Sequence, residues 1–251
     1  MKPGLATALL GVVAIAVLPA AHAQSASEWR VTPYLWVAGF DGTVGTGNGG
    51  DAALGSRVAV DIGSLADNLT AAGAMLNIGW RQGRWSAFGD WTWVKVESDA
   101  PTGLPVLFTG VEAQVKGNVV QANLGYELVG NKDGRLDAFV GARYYDLDVE
   151  MRLEGLLTGN RAIALGQRWT DAVAGVRGST SLGAAWEAYA QFDVGAGESD
   201  LSWQAMGVVG YRFGWGTVFG GWRHLAVDVQ KGDYRLDAAI SGPVVGASFR
   251  F

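Results

Sequence analysis

The chain has 251 residues, a formal net charge of −5, 49% hydrophobic side chains and no cysteine. Disulfides are excluded as a source of stability, and the mildly acidic balance offers no basic surface for nucleic acid. Beyond the first two dozen residues no uninterrupted apolar run of helix length occurs, while 38 glycines and 11 tryptophans are set among regularly spaced polar residues; this excludes a bundle of membrane helices and suits alternating strands.

In chain order, the first element reads as a secretory signal. Lys2 supplies a positive start, residues 5–18 are apolar and uncharged, and Ala21-His22-Ala23 fits an A-x-A cleavage site. The apolar stretch falls short of the roughly 20 residues that span a bilayer. A signal peptide over 1–23 and a single domain over 24–251 are therefore expected. Loss of Lys2 takes the formal charge from −5 to −6. The absence of cysteine argues against a lipid-modified N-terminus.

Strands are expected at 28–40, 69–81, 84–98, 111–129, 135–152, 167–179, 185–197, 200–213, 216–229 and 237–251. The alternation is clearest in the seventh and eighth. Glu187, Gln191 and Asp193 oppose Trp186, Ala188, Ala190, Phe192 and Val194, and Ser202, Gln204 and Arg212 oppose Leu201, Trp203, Val209, Tyr211 and Phe213. Helical spacing would scatter these polar residues around a cylinder. Short breaks near residues 82–83, 131–134, 181–183 and 214–216 alternate with longer ones over 41–68, 98–110, 155–166 and 230–234, with a tight exception at 198–199. Short turns on one side and long loops on the other fit a transmembrane barrel. Residues 57–62 alternate too and could form a further hairpin with the Gly-rich segment before them, so eight or twelve strands stay open. The expected fold is all-β, a transmembrane antiparallel up-and-down β-barrel of about ten strands.

Aromatic placement supports this threading. Trp80, Trp85, Trp186, Phe213, Trp215 and Phe251 fall beside the short turns, and Trp91, Trp93, Trp169, Trp203 and Trp222 fall toward the long loops. Two bands at the two strand ends are what interfacial girdles require. In the last strand Val245, Ala247, Phe249 and Phe251 alternate with Gly246, Ser248 and Arg250. Pro33 and Pro243 lack an N–H, so the seam between first and last strands should contain bulges or weak rungs.

Several stretches carry a resemblance: Trp29-Arg30-Val31-Thr32-Pro33-Tyr34-Leu35-Trp36 and Asp41-Gly42-Thr43-Val44-Gly45 near the start, and Ser64-Leu65-Ala66-Asp67-Asn68-Leu69 after them. Later come Ser202-Trp203-Gln204-Ala205, Gly210-Tyr211-Arg212-Phe213 and Ser241-Gly242-Pro243 running to Phe249-Arg250-Phe251. In this order they resemble a largely uncharacterised group of bacterial outer-membrane β-barrel proteins. The resemblance implies the fold, an outer-membrane location, and membrane lipid and the barrel-assembly machinery as partners. The ending resembles closing strands in which that machinery reads a terminal Phe, which gives Phe249 and Phe251 the role of an assembly signal. No catalytic motif transfers with it.

The lumen-facing set is where function is expected. On the strand parity above, Asp90, Glu127, Asp137, Asp171, Glu187 and Asp193 project inward, as do Arg143, Arg177, Arg212, Arg223 and Arg250. A barrel of about ten strands is narrow inside. Buried charges are costly unless paired, so long Arg side chains are expected to meet carboxylates in a hydrogen-bonded network. That network serves either as a polar plug or as the lining of a narrow channel for small polar solutes, and the plug is favoured. A surface-interaction role through loop 41–68 is the alternative. A hydrolase is the contrasting class and is not expected: His22 leaves with the signal, His224 beside Arg223 points to lipid, and no Gly-x-Ser-x-Gly elbow occurs. Asp146 and Asp148 near a strand's outer end read as a solvated cluster. The sequence Gly45-Thr46-Gly47-Asn48-Gly49-Gly50 reads as a surface loop without a following helix, residues 131–137 as a turn without calcium-ligand spacing, and residues 64–69 as a capped turn over the barrel mouth. No cofactor is called for.

Overall fold

The computed structural model describes residues 27–46, 56–60, 72–100, 108–155, 161–231 and 234–251. The expected signal peptide (1–23) and capped turn (64–69) lie outside them. The strands are β1 (Glu28–Trp36), β2 (Gly39–Thr46), β3 (Ser56–Val60), β4 (Ala72–Gln82), β5 (Trp85–Ala100) and β6 (Phe108–Gly130), followed by β7 (Gly134–Gly155), β8 (Arg161–Gly183), β9 (Trp186–Gly197), β10 (Leu201–Arg212), β11 (Thr217–Lys231) and β12 (Tyr234–Arg250). No helix occurs among the described residues.

Neighbouring strands pair antiparallel in the order β1-β4-β5-β6-β7-β8-β9-β10-β11-β12, and β12 pairs back onto β1. The result is a closed barrel of ten strands. β2 continues β1 along the upper half of β12, and β3 folds back on β2 as a short hairpin.

Because the wall is one sheet thick, burial identifies its two faces. Val120, Leu124, Val140, Val176, Val194, Val209, Val218 and Val245 are exposed, while Gln121, Asn123, Arg143, Asp171 and Asp193, on alternate positions, are buried. The apolar set faces outward and the polar set fills the lumen, the parity a membrane barrel needs. Trp29, Trp85, Trp186, Phe213, Trp215 and Phe251 are exposed around the short-turn end, and Trp91 and Trp222 are exposed on the far side of the apolar band. Above that band the outer face turns polar. Trp91 donates its indole N–H to Asn118 at 3.1 Å, and Asp146 meets Arg168 at 2.9 Å across β7 and β8. The short-turn end is the periplasmic end in barrels of this kind.

Three expectations are corrected here. Trp169 is not a girdle residue: it is only 2% exposed and lies inside, stacked on Tyr145 with ring centroids 4.6 Å apart. It shares its face with Asp171 and Val173, and strand parity outweighs its height along β8. Residues 41–68 are not wholly loop, because β2 keeps hydrogen-bonding to the protruding end of β12 and β3 then pairs with β2. The hairpins expected to loop at 98–110 and 155–166 remain strands to Ala100 and from Phe108, and to Gly155 and from Arg161. A transmembrane strand needs about 9–11 residues. The 23, 22 and 23 residues of β6, β7 and β8 therefore stand well clear of the bilayer.

The closing seam follows its prolines. β1 and β12 pair at Arg30↔Arg250 and Val31↔Phe249, skip Thr32 and Pro33, and resume from Tyr34↔Gly246 to Trp36↔Val244. Opposite Pro243 the chain leaves β1 at Val37, whose N–H reaches the Pro243 carbonyl at 3.0 Å. Gly242 makes this crossing possible, since a Cβ there would sit 2.0 Å from the Val37 carbonyl oxygen. At the base, Trp29 and Phe251 exchange both backbone hydrogen bonds, at 3.0 and 2.9 Å.

Candidate functional site: the lumen

The lumen has three layers. The middle one is a chain of hydrogen bonds running through seven of the ten strands. On β1, Tyr34 donates to Asp90 of β5 at 2.7 Å. Arg223 of β11 reaches the other Asp90 oxygen at 3.2 Å from the far side of the barrel, and also bonds the Tyr34 hydroxyl. It grips the Gln204 carbonyl oxygen of β10 with two nitrogens, at 3.0 and 2.6 Å. Gln204 donates to Asp193 of β9 at 3.2 Å, and Asp193 is ion-paired with Arg143 of β7. Arg143 completes the chain by donating twice to Gln121 of β6, at 3.0 and 2.8 Å.

Arg143 and Asp193 are fully buried and Arg223 nearly so. Charges so placed are tolerable only when paired and hydrogen-bonded. The bidentate use of both guanidinium groups meets that demand and fixes their geometry.

Above this layer, toward the long hairpins, the lumen is filled with hydrocarbon. Trp36, Met75, Val119, Tyr145, Leu147, Trp169, Leu225, Val229, Leu236 and Val244 pack into one buried cluster. Trp36 also lies against the Arg223 guanidinium, 4.7 Å from ring centroid to Cζ, so the two layers are in contact.

Below it, a cavity of about 570 Å³ opens among the short turns. Its floor includes Asp90, Gln121, Gln204 and Arg223, and its mouth is rimmed by the 131–133 turn and by Arg250. Arg81 bridges Glu127 at 3.1 Å and also pairs with Asp137. Arg177 reaches Asp137 at 3.1 Å while lying 3.7 Å over the Phe88 ring. Glu28 is shared by Arg30 at 3.0 Å and Arg250 at 3.1 Å.

All eleven charged residues singled out from the sequence project inward, but they do not form one network. Asp90, Arg143, Asp193 and Arg223 belong to the middle layer. Glu127, Asp137, Arg177 and Arg250 line the cavity in separate clusters, and Glu187 and Arg212 face each other at 4.0 Å with Arg212 about half exposed. Among the described residues Asp171 meets no cation. It accepts from the Ser199 N–H at 3.0 Å, the Ser199 hydroxyl at 2.6 Å and the Ser202 hydroxyl at 3.0 Å, and so ties down the tight β9–β10 turn.

Sequence reasoning left out Arg81 and Tyr34, and it put Gln121 and Gln204 on the polar face of their strands without counting them as links between these charges. Arg81 shares strand parity with Asn77 and sits one residue from the turn, so its inward aim was readable. The amides and the phenol carried no charge to draw notice. His224 lies on the outer face, 4.4 Å from the Trp203 ring and hydrogen-bonded to Ser241. At the 131–134 turn the Asn131 side chain accepts from the N–H groups of Asp133 and Gly134, at 2.9 and 2.8 Å.

No family model and no curated protein matches this sequence. Solved structures do match in shape. The outer membrane protease OmpT from Escherichia coli is 12% identical, with a TM-score of 0.65 over 92% of this chain and 99% of that one. The translocator domain of the autotransporter NalP from Neisseria meningitidis is 14% identical with a TM-score of 0.45, covering 92% and 90%. The attachment invasion locus protein Ail of Yersinia pestis is 10% identical with a TM-score of 0.38, covering 90% and 99%. Similarity at the level of the last two carries no argument, and the first is a likeness of fold alone. The chain has the closed, ten-stranded fold of an outer-membrane β-barrel.

Proposed function

We propose that this protein is an integral outer-membrane barrel with a sealed lumen, its inward charges serving to hold the wall together rather than to conduct. The observation that carries the reading is the hydrogen-bonded layer from Tyr34 to Gln121 with the apolar cluster packed directly above it. A polar solute entering from the short-turn end meets paired charges and then a packed, largely apolar layer, whose polar atoms, the Trp36 and Trp169 indole N–H among them, are too few to replace its hydration shell. Passive permeation therefore has less support than the structural role. Liposome swelling in arabinose tests this: vesicles carrying the barrel should swell no faster than empty ones, and porin-like swelling would overturn the reading.

The remaining parts of the account are proposals of the same kind. The protein reaches the membrane after signal cleavage, and the barrel-assembly machinery reads Phe249 and Phe251. Lipid is its standing partner. No enzymatic activity is part of this proposal: His224 is turned to the lipid side and Asp146 is engaged by Arg168. Surface interaction is the second reading, favoured by the length of β5 to β8, which carries their upper ends clear of the bilayer. Binding of the barrel to intact cells or matrix, lost on trimming these hairpins, would support it.

A further inference from the structure

A lumen open at one end and sealed at the other is a pocket, and its chemistry is lopsided. Eight Arg and Lys side chains line the 570 Å³ cavity against six carboxylates, in a chain whose formal charge is −5. The volume lies within the range of small-molecule sites. Most of the cations are engaged, but Arg135 is not. It stands half-buried at the base of β7 among Arg81, Arg30, Glu28 and Asp137. Among the described residues it forms no ion pair or hydrogen bond.

A half-buried guanidinium without a partner at the wall of a cavity calls for an anion.

We propose that this cavity is a binding pocket, entered from the periplasm, for a small polycarboxylate anion. Arg135 and the other mouth arginines hold the anionic groups. The proposal rests on the sealed-lumen reading, since a pore would be a passage rather than a site.

Isothermal titration of the folded full-length barrel in detergent with citrate tests it. The expected result is a saturable one-to-one isotherm, weakened about tenfold or more by Arg135→Ala, since a hydrogen bond to a charged group is lost. Arg135→Lys should retain part of the binding, and Arg168→Ala, the same charge change on the outer face, should leave it unaltered. Tricarballylate, which has the three carboxylates without the hydroxyl, should bind with similar affinity, since the arginines hold the carboxylates. Heat-modifiable gel mobility confirms that each variant is folded. Absence of saturation at millimolar citrate, or equal affinity in Arg135→Ala, would overturn the pocket, and loss of binding with tricarballylate would overturn recognition through the carboxylates. Channel steps in a bilayer with citrate binding intact would instead overturn the seal and leave the site standing, so the two failures are distinguishable.

Discussion

Arg143 is the residue whose loss the lumen should feel most. Both Arg143 and its partner Asp193 have side chains with 0% exposure. Replacing Arg143 with Met keeps the hydrocarbon stem and removes the charge. Asp193 then keeps only two amide donors, from Gln191 at 3.1 Å and Gln204 at 3.2 Å. Breaking a buried pair from one side costs about 3–5 kcal/mol, because the surviving charge stays desolvated. The Gln121 carbonyl oxygen loses both of its guanidinium donors at the same time, which adds on the order of 1 kcal/mol. Adding Asp193→Asn to Arg143→Met removes the stranded charge while keeping the amide contacts. The double variant should therefore recover at least about 2 kcal/mol relative to the sum of the singles. Urea unfolding in lipid vesicles, followed by tryptophan emission and extrapolated linearly, measures all four species. A loss below about 1 kcal/mol for Arg143→Met, or strict additivity in the double variant, would refute the account of the middle layer.

Other substitutions separate the layers. Trp169→Ala should cost about 3–5 kcal/mol by the same unfolding assay, since it empties a large volume beside Tyr145; a lipid-facing Trp would cost far less. Arg212→Ala should change stability by no more than about 1 kcal/mol, because its 4.0 Å pair with Glu187 is half exposed. It should also leave the membrane as silent as before, since Arg212 lies at the cavity mouth and not in the seal. Phe251→Ala should slow assembly into the outer membrane, read as accumulation of the heat-unmodified form in pulse–chase gels. Assembly at the normal rate would remove Phe251 from the signal.

Strand parity made much of this fold readable in advance. Alternation placed Asp90, Arg143, Asp193 and Arg223 on one face because each stands beside at least one large apolar or aromatic neighbour, Trp91, Tyr144, Phe192 with Val194, and Trp222, that must go to lipid. The same rule would have placed Trp169 inside, had its height near the loops not been weighted above its parity. Strand lengths at the upper end were not legible. The extra residues, to Ala100, from Phe108, to Gly155 and from Arg161, lie at breaks that read as loop in composition, yet beyond the bilayer a strand can continue into water. The partners of each charge were also hidden. Arg143 reaches Asp193 over an intervening strand, and Arg223 reaches Asp90 from the far side of the barrel. Such contacts depend on strand tilt and stagger, which no local pattern encodes. Gln204 and Gln121, uncharged and unremarkable in the sequence, turn separate pairs into a continuous layer.

Single-channel recording in a planar lipid bilayer tests the central claim most directly. With the purified, folded barrel inserted, the account predicts a silent membrane, and it predicts continued silence after Arg143→Met alone because the Trp36–Tyr145–Trp169 layer still fills the lumen. Stable, reproducible conductance steps from the unmodified protein would contradict it.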